Sequence, residues 1–253
     1  MPEPEEPAVA AILATKPGTP LELVRAAKIL ADLDRPDLAK GFLKRVLDAN
    51  LDPQQLVALE GALGATLFVQ MASRADLAPE ARQLSDGVLA AVRRHLEDPA
   101  RLASLVKQLQ DPSPDTRYRA LVEIERARGA AVAPMVAVLA DPGRAAVHAN
   151  VRAALARLGP DAVDPLIALL ESGDPKLVVD AIRVLGELQD EKAMVFLLAP
   201  SAWGQSDPAI RLAAEAALLK LTGRTPSPRE AARLLVERAE EYFDRLQPLQ
   251  EDV

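Results

Sequence analysis

The side chains able to do chemistry are few in this chain, and their spacing suits little of it. There is no cysteine, which removes disulfides, thiolate metal ligands and thiol nucleophiles together. His95 and His148 are the only histidines and fall in different parts of the chain, outside any Asp/Glu/His grouping at metal-ligand spacing. Neither the G-x-x-x-x-G-K-[ST] loop that cradles phosphates nor the G-x-G-x-x-G dinucleotide turn occurs. A G-x-S-x-G nucleophile elbow is missing as well. Glu240 and Glu241 are adjacent, and neighbours on a helix point different ways, so they form a solvated face rather than an acid/base pair. No catalytic residue, metal ligand or cofactor is expected.

Two other features suit recognition better. Trp203, the one tryptophan, lies in the run SAWGQS, where it either closes over the end of an apolar core or meets a partner. The run Thr225-Pro-Ser-Pro228 offers a phosphorylation target or a helix start, and Ser227 followed by Glu230 is the pattern of a capping box. Charge narrows the partner. The net charge is −7, from 30 basic and 37 acidic residues. Residues 1–100 hold 11 basic and 15 acidic groups and the remainder 19 and 22, so neither part is a basic module that could neutralise phosphates. Nucleic acid is not an expected partner. The longest apolar stretch, Gly129 to Ala140, is 12 residues and contains Pro134, against the ~20 needed to cross a bilayer. The opening MPEPEEP is acidic and proline-rich, which reads as a linker rather than a signal peptide. A soluble, cytoplasmic chain is the default expectation, exported only if a targeting segment precedes it.

The elements that must position these residues are helices. Ala (47) and Leu (40) make up about a third of the chain, while aromatic residues are 3%. Ala and Leu lead the helix scale, and the pleated faces of sandwiches and barrels want β-branched and aromatic side chains instead. The second half also repeats itself. Segments beginning at Thr116, Val147, Leu177 and Ile210 read TRYRALVEIERARG, VHANVRAALARLGP, LVVDAIRVLGELQD and IRLAAEAALLKLTG, at offsets of 31, 30 and 33. Three apolar ladders run through them: Ala120, Val151, Ala181, Ala214; Ile124, Leu155, Leu185, Leu218; and Ala127, Leu158, Leu188, Leu221. Steps of four and then three are the stripe of an amphipathic helix. Before each lies another apolar helix, from Arg101, Ala131, Ala162 and Lys192, and between the two stands Asp-Pro: 111–112, 141–142, 174–175 and 207–208. Asp caps an orphan amide and Pro fits the first turn.

This pattern resembles the HEAT repeat family in its short, roughly 30-residue bacterial form. The likeness lies in the proline of the first helix (Pro134, Pro165), the Asp-Pro turn, and the V-R-x-x-A-x-x-A-L start of the second helix. Val147, Val151, Ala154 and Leu155 match that start, as do Ile210, Arg211, Ala214, Ala217 and Leu218. The family's arginine appears as Arg117 and Arg211 but is replaced by His148 and Val178, which interrupts any Arg–Asp ladder and gives His148 a structural place. The resemblance implies an all-α fold, a right-handed α-solenoid of stacked antiparallel helix pairs with four repeats over 101–223.

Residues 1–100 are expected to be a helical segment capping that solenoid. Thr19 and Glu22 form a capping box for a helix to about Asp34, with a partner from about Arg35 to Asn50. That pair is similar to a tetratricopeptide hairpin, although the aromatic and glycine positions of that consensus are missing. Further helices are expected from Asp52-Pro53 and from Ala78, with Gly61 and Gly64 breaking the chain between them. Residues 224–253 should form a C-terminal capping helix and tail, the helix running to about Gln247 and sealing the last repeat with Leu234, Leu235, Tyr242 and Phe243.

In HEAT-type solenoids the second helices line the concave side, so their non-core positions become ladders across a groove. Here one ladder is Arg119, Asn150, Asp180, Ala213 and its neighbour Arg126, Arg157, Glu187, Lys220, with Arg183 between them. The second ladder has three bases and one acid in an acidic chain, either an ordinary solvated face or a track that steers an acidic peptide. Together with Trp203 these are the candidate contact residues. The function expected is a non-catalytic protein–protein interaction or scaffold module, monomeric, with a protein or peptide partner. The alternative, from HEAT-like repeats in bilin lyases, is an enzyme or enzyme subunit of that type. The ladders themselves set a stability ranking. Leu155→Ala should cost about 2–5 kcal/mol and Asp141→Ala roughly 1, which urea denaturation of the two variants checks.

Overall fold

The computed structural model describes residues 7–244, and the regular structure among them is helical, with no β-strand. They divide into two compact units that meet in sequence between Asp98 and Pro99. No single helix among the described residues is long and apolar enough to cross a membrane.

The first unit holds α1 (Pro7–Ala14), α2 (Pro20–Asp32), α3 (Pro36–Asp48), α4 (Pro53–Leu63), α5 (Ala65–Ser73) and α6 (Glu80–Leu96). The Thr19–Glu22 box opens α2: the Thr19 hydroxyl accepts from the Glu22 amide, and the Glu22 carboxylate accepts from the amide of Thr19 at 3.0 Å. Asp52 and Gln55 repeat the device at α4. Gly64, at φ +81°, separates α4 from α5, whereas Gly61 lies inside α4 and breaks nothing. The helix expected at Ala78 begins instead at Glu80, after Pro79. Helices α2 and α3 pair, α6 packs on α3, α4 and α5, and Leu30, Leu43, Phe68 and Leu77 lie fully buried among them.

The second unit pairs α7 (Pro99–Gln108) with α8 (Pro114–Ala127), α9 (Val132–Leu139) with α10 (His148–Arg157), α11 (Val163–Ala168) with α12 (Pro175–Leu188), and α13 (Glu191–Ala202) with α14 (Pro208–Thr222). A last helix, α15 (Pro228–Phe243), closes the unit's described part. Second helices touch in order, α8 on α10, α10 on α12 and α12 on α14, while among the others α7 meets α9, α11 meets α13 and α13 meets α15. The ladders are where the stripe requires them. Ala120, Val151, Ala181 and Ala214, and then Ile124, Leu155, Leu185 and Leu218, are all at 1% exposure or less. In the third ladder Ala127 and Leu158 are buried, but Leu188 and Leu221 only partly.

The Asp-Pro turns do not all do the same work. Asp174 and Asp207 cap α12 and α14, each with Pro next in the first turn. Asp141 caps too, through the Gly143 amide at 2.9 Å, but a 3-10 stretch over Pro142–Val147 intervenes before α10 begins. In the first pair the cap is Ser113, not Asp111. Pro114 decides this, because the residue before a proline is driven out of the α region and becomes the boundary. At the other end Ser227 and Glu230 form the expected box for α15, and those hydrogen bonds, together with Arg224, hold the Glu230 carboxyl down at about 2. Leu234 and Leu235 pack against the core, whereas Tyr242 and Phe243 are exposed at 50% and 89% and seal nothing. The continuation expected to Gln247 lies outside the described residues.

Helices α12 and α14 come close together at Gly186. A Cβ there would sit 2.9 Å from Ala217 Cβ and 3.0 Å from its Cα. Gly186→Ala should therefore lose about 1–2 kcal/mol despite the better helix propensity of alanine. Gly87→Ala in α6 meets open space and should be neutral or stabilising by up to about 1 kcal/mol. Paired urea denaturation curves of the two variants measure the difference.

Candidate functional site

The second helices α10, α12 and α14 line an open cleft of about 880 Å³. Its floor is made of small side chains: Ala149, Ala153 and Ala156 of α10, Gly186 of α12, and Ala213, Ala216 and Ala217 of α14. Those residues occur there because the core positions take the large side chains and the helices meet closely, so the next turn of surface is left shallow. Leu212, 68% exposed, is the large apolar group in the lining. Arg152, Arg157, Arg183, Lys220 and Glu187 supply the charge. A second cleft of about 740 Å³ lies toward the interhelix turns, lined among others by Pro142, His148, Asp174, Asp180 and Asp207. Arg152, Arg183 and Ala209 line both.

The structure sorts the sequence candidates into different places. Arg157, Arg183, Glu187 and Lys220 line the cleft. Arg119, Arg126 and Asn150 are exposed but do not line it, and the Asn150 amide donates to the Leu109 carbonyl at 3.5 Å. The basic ladder is exposed as expected, yet its members are already paired. Arg126 meets Glu123, Arg157 meets Glu125 on the preceding second helix, and Lys220 meets Glu187 likewise. The Glu125 carboxylate raises the Arg157 guanidinium further above its ordinary value by accepting its hydrogen bond. Arg157 and Lys220 are thus ties between successive second helices before they are a track. Sequence spacing hid this, because the acids stand 32 and 33 residues earlier, on a different helix.

Asp180 requires a larger correction. Expected on the groove ladder, it is buried at 6% exposure. Arg152 reaches its Oδ1 at 2.8 Å and Arg183 the same oxygen at 3.5 Å, while His148 Nδ1 stands 3.5 Å from Oδ2. The α12 surface is covered here by α10, so a carboxylate at that position must be satisfied by cations rather than water. His148 also meets the Asp141 carbonyl through Nε2 at 3.1 Å. In the first pair Arg117 donates to the carbonyls of Asp111 and Pro112, at 2.7 and 2.9 Å. His148 and Arg117 thus make similar contacts, each to a carbonyl of the turn before its own helix. His95 is exposed on α6, and no grouping of three metal-ligating side chains occurs among the described residues.

Trp203 is not a lid. It is 63% exposed at the end of α13 and outside both clefts. Phe196, seven residues earlier on the same face of the helix, is 46% exposed. The i, i+7 spacing was the available signal for this second apolar surface. No protein-family model matches the chain, and no curated protein matches it.

The Asp180 cluster yields a direct stability test. Asp180→Ala leaves two guanidiniums facing each other, with Arg152 only 27% exposed in its side chain. The expected loss is about 2–3 kcal/mol, below the 3–5 typical of fully buried pairs because Arg183 reaches water. The destabilisation should be largely relieved by adding Arg183→Ala, a coupling that a double-mutant cycle in urea reads directly.

Proposed function

We propose that residues 99–243 are a short HEAT-like, right-handed α-solenoid serving as a non-catalytic interaction module, with the cleft on its second helices as the seat of a protein or peptide segment. One observation carries the reading: the cleft is lined by α10, α12 and α14, three of the four helices that the sequence repeat puts in register. Its shape supports the same use. Small residues let a backbone come close, Leu212 offers an apolar contact, and charged side chains at the edge orient what binds. Second helices packed in unbroken succession, with α7 on α9 and α11 on α13 among the first helices, support a solenoid of helix pairs.

The test fills the cleft. Ala153→Trp with Ala216→Trp places bulk at two exposed positions of its floor, so the fold should survive, as circular dichroism and melting temperature report. Captures from the source cell are compared by quantitative mass spectrometry for wild type, this variant, and Phe196→Ser with Trp203→Ser. The partner should fall about tenfold with the filled cleft, equivalent to about 1.4 kcal/mol, and persist with the altered α13. Retention by the filled cleft and loss with the α13 variant would move the contact surface to α13.

A further inference from the structure

The positive charge in the cleft that lacks its own counter-charge is not on the ladder but at Arg152 and Arg183. Arg157 has Glu125 and Lys220 has Glu187, one acid to each base. Arg152 and Arg183 divide one carboxylate, both meeting Asp180 through the same oxygen. Asp180 is itself buried, with His148 Nδ1 3.5 Å from its other oxygen, so a single carboxylate serves both guanidiniums. Each guanidinium carries five N–H donors in a rigid plane, and one of them from each is used on Asp180. The two side chains, exposed at 27% and 57%, line both clefts and keep donors beyond those used on Asp180.

We propose that Arg152 and Arg183 form a carboxylate clamp for an Asp or Glu side chain of an acidic peptide lying in the cleft, with Asp180 as the residue that positions them. This rests on the reading of the cleft as a docking groove and adds the chemistry of its occupant. A buried carboxylate holding two guanidiniums by one edge leaves the other edges oriented in advance. The entropy of ordering two long side chains is then met before the ligand arrives. The fork geometry suits a carboxylate bidentately, which a lysine pair would not do. Lining the cleft beside them, Ala153, Ala213 and Ala216 let the peptide backbone come near, and Leu212 takes an apolar neighbour of the acid. The pattern recognised is therefore an acid next to an apolar residue.

The probe is a short fluorescein-labelled peptide of leucine and glutamate, followed by fluorescence anisotropy at low and at raised salt, against the same peptide with glutamine for glutamate. The glutamate peptide should bind and weaken as salt rises, and the glutamine peptide should bind about tenfold less tightly. Arg183→Gln keeps a planar donor without the charge and leaves Arg152 on Asp180 at 2.8 Å, so it should fold and lose about tenfold in affinity. Arg183→Lys should recover only part of that. Arg128→Gln, on a base outside both clefts with Asp161 as its own partner, should change affinity less than about threefold. Equal losses at Arg128 and Arg183, no loss at Arg183, no binding by wild type, or equal affinity for both peptides would each overturn the clamp. The filled cleft separates that outcome from failure of the groove. If the Ala153→Trp, Ala216→Trp variant loses its captured partner while Arg183→Gln binds the probe as wild type does, the groove stands and the clamp falls. If the filled variant loses neither partner nor probe, the groove reading falls with it.

Discussion

Each second helix of the C-terminal unit has one apolar stripe, and its first helix covers only part of it. Ile124, Leu155, Leu185 and Leu218 reach zero exposure because a neighbouring second helix lies against them as well. Burying a side chain of that size contributes about 1.5–3 kcal/mol. The driving force is thus shared between neighbours rather than held within one hairpin. The helix spacing, the small residues at contacts and the shape of the surface between helices all derive from that sharing. Gly186 marks its limit, where α12 and α14 are so close that a single methyl group has no room.

Close approach also determines what the charged residues do. When second helices pack in succession, a long base on one lies within reach of an acid on the one before. Arg157 to Glu125 and Lys220 to Glu187 are this geometry realised twice. Such exposed pairs contribute little to stability individually. Their effect on the surface is larger, since they remove two positive charges from a groove that would otherwise be strongly basic. The pair left sharing one acid, Arg152 and Arg183, therefore stands out electrostatically although neither belongs to the most basic ladder.

Local chemistry at the turns shows how far short-range patterns reach. Capping boxes at Thr19, Asp52 and Ser227 depend on residues three apart and form as their letters predict. The Asp-Pro turns depend on more. With a second proline downstream, as at Pro114, the boundary moves to Ser113, and with glycine next, as at Gly143, a 3-10 stretch precedes the helix. His148 stands where the first helix pair has Arg117 and makes a similar contact, because an imidazole nitrogen and a guanidinium both reach the turn carbonyl.

The sequence alone determined the helical class, the helix pairs of residues 101–223, the two fully buried ladders and the capping boxes at Thr19 and Ser227. All of these rest on periodicities or spacings of three and four residues, the interval at which side chains share a helix face. It also placed the exposed bases correctly as exposed. Tertiary structure decided which of them are neutralised, that Asp180 is buried, that Gly61 does not break its helix and that Trp203 stands in the open. The charge pairing and the burial of Asp180 turn on contacts between residues 28 to 33 positions apart, and no local spacing encodes them. Periodicity assigns a residue to a face of its helix. Only the packed neighbours determine whether that face is water, a counter-charge or a groove.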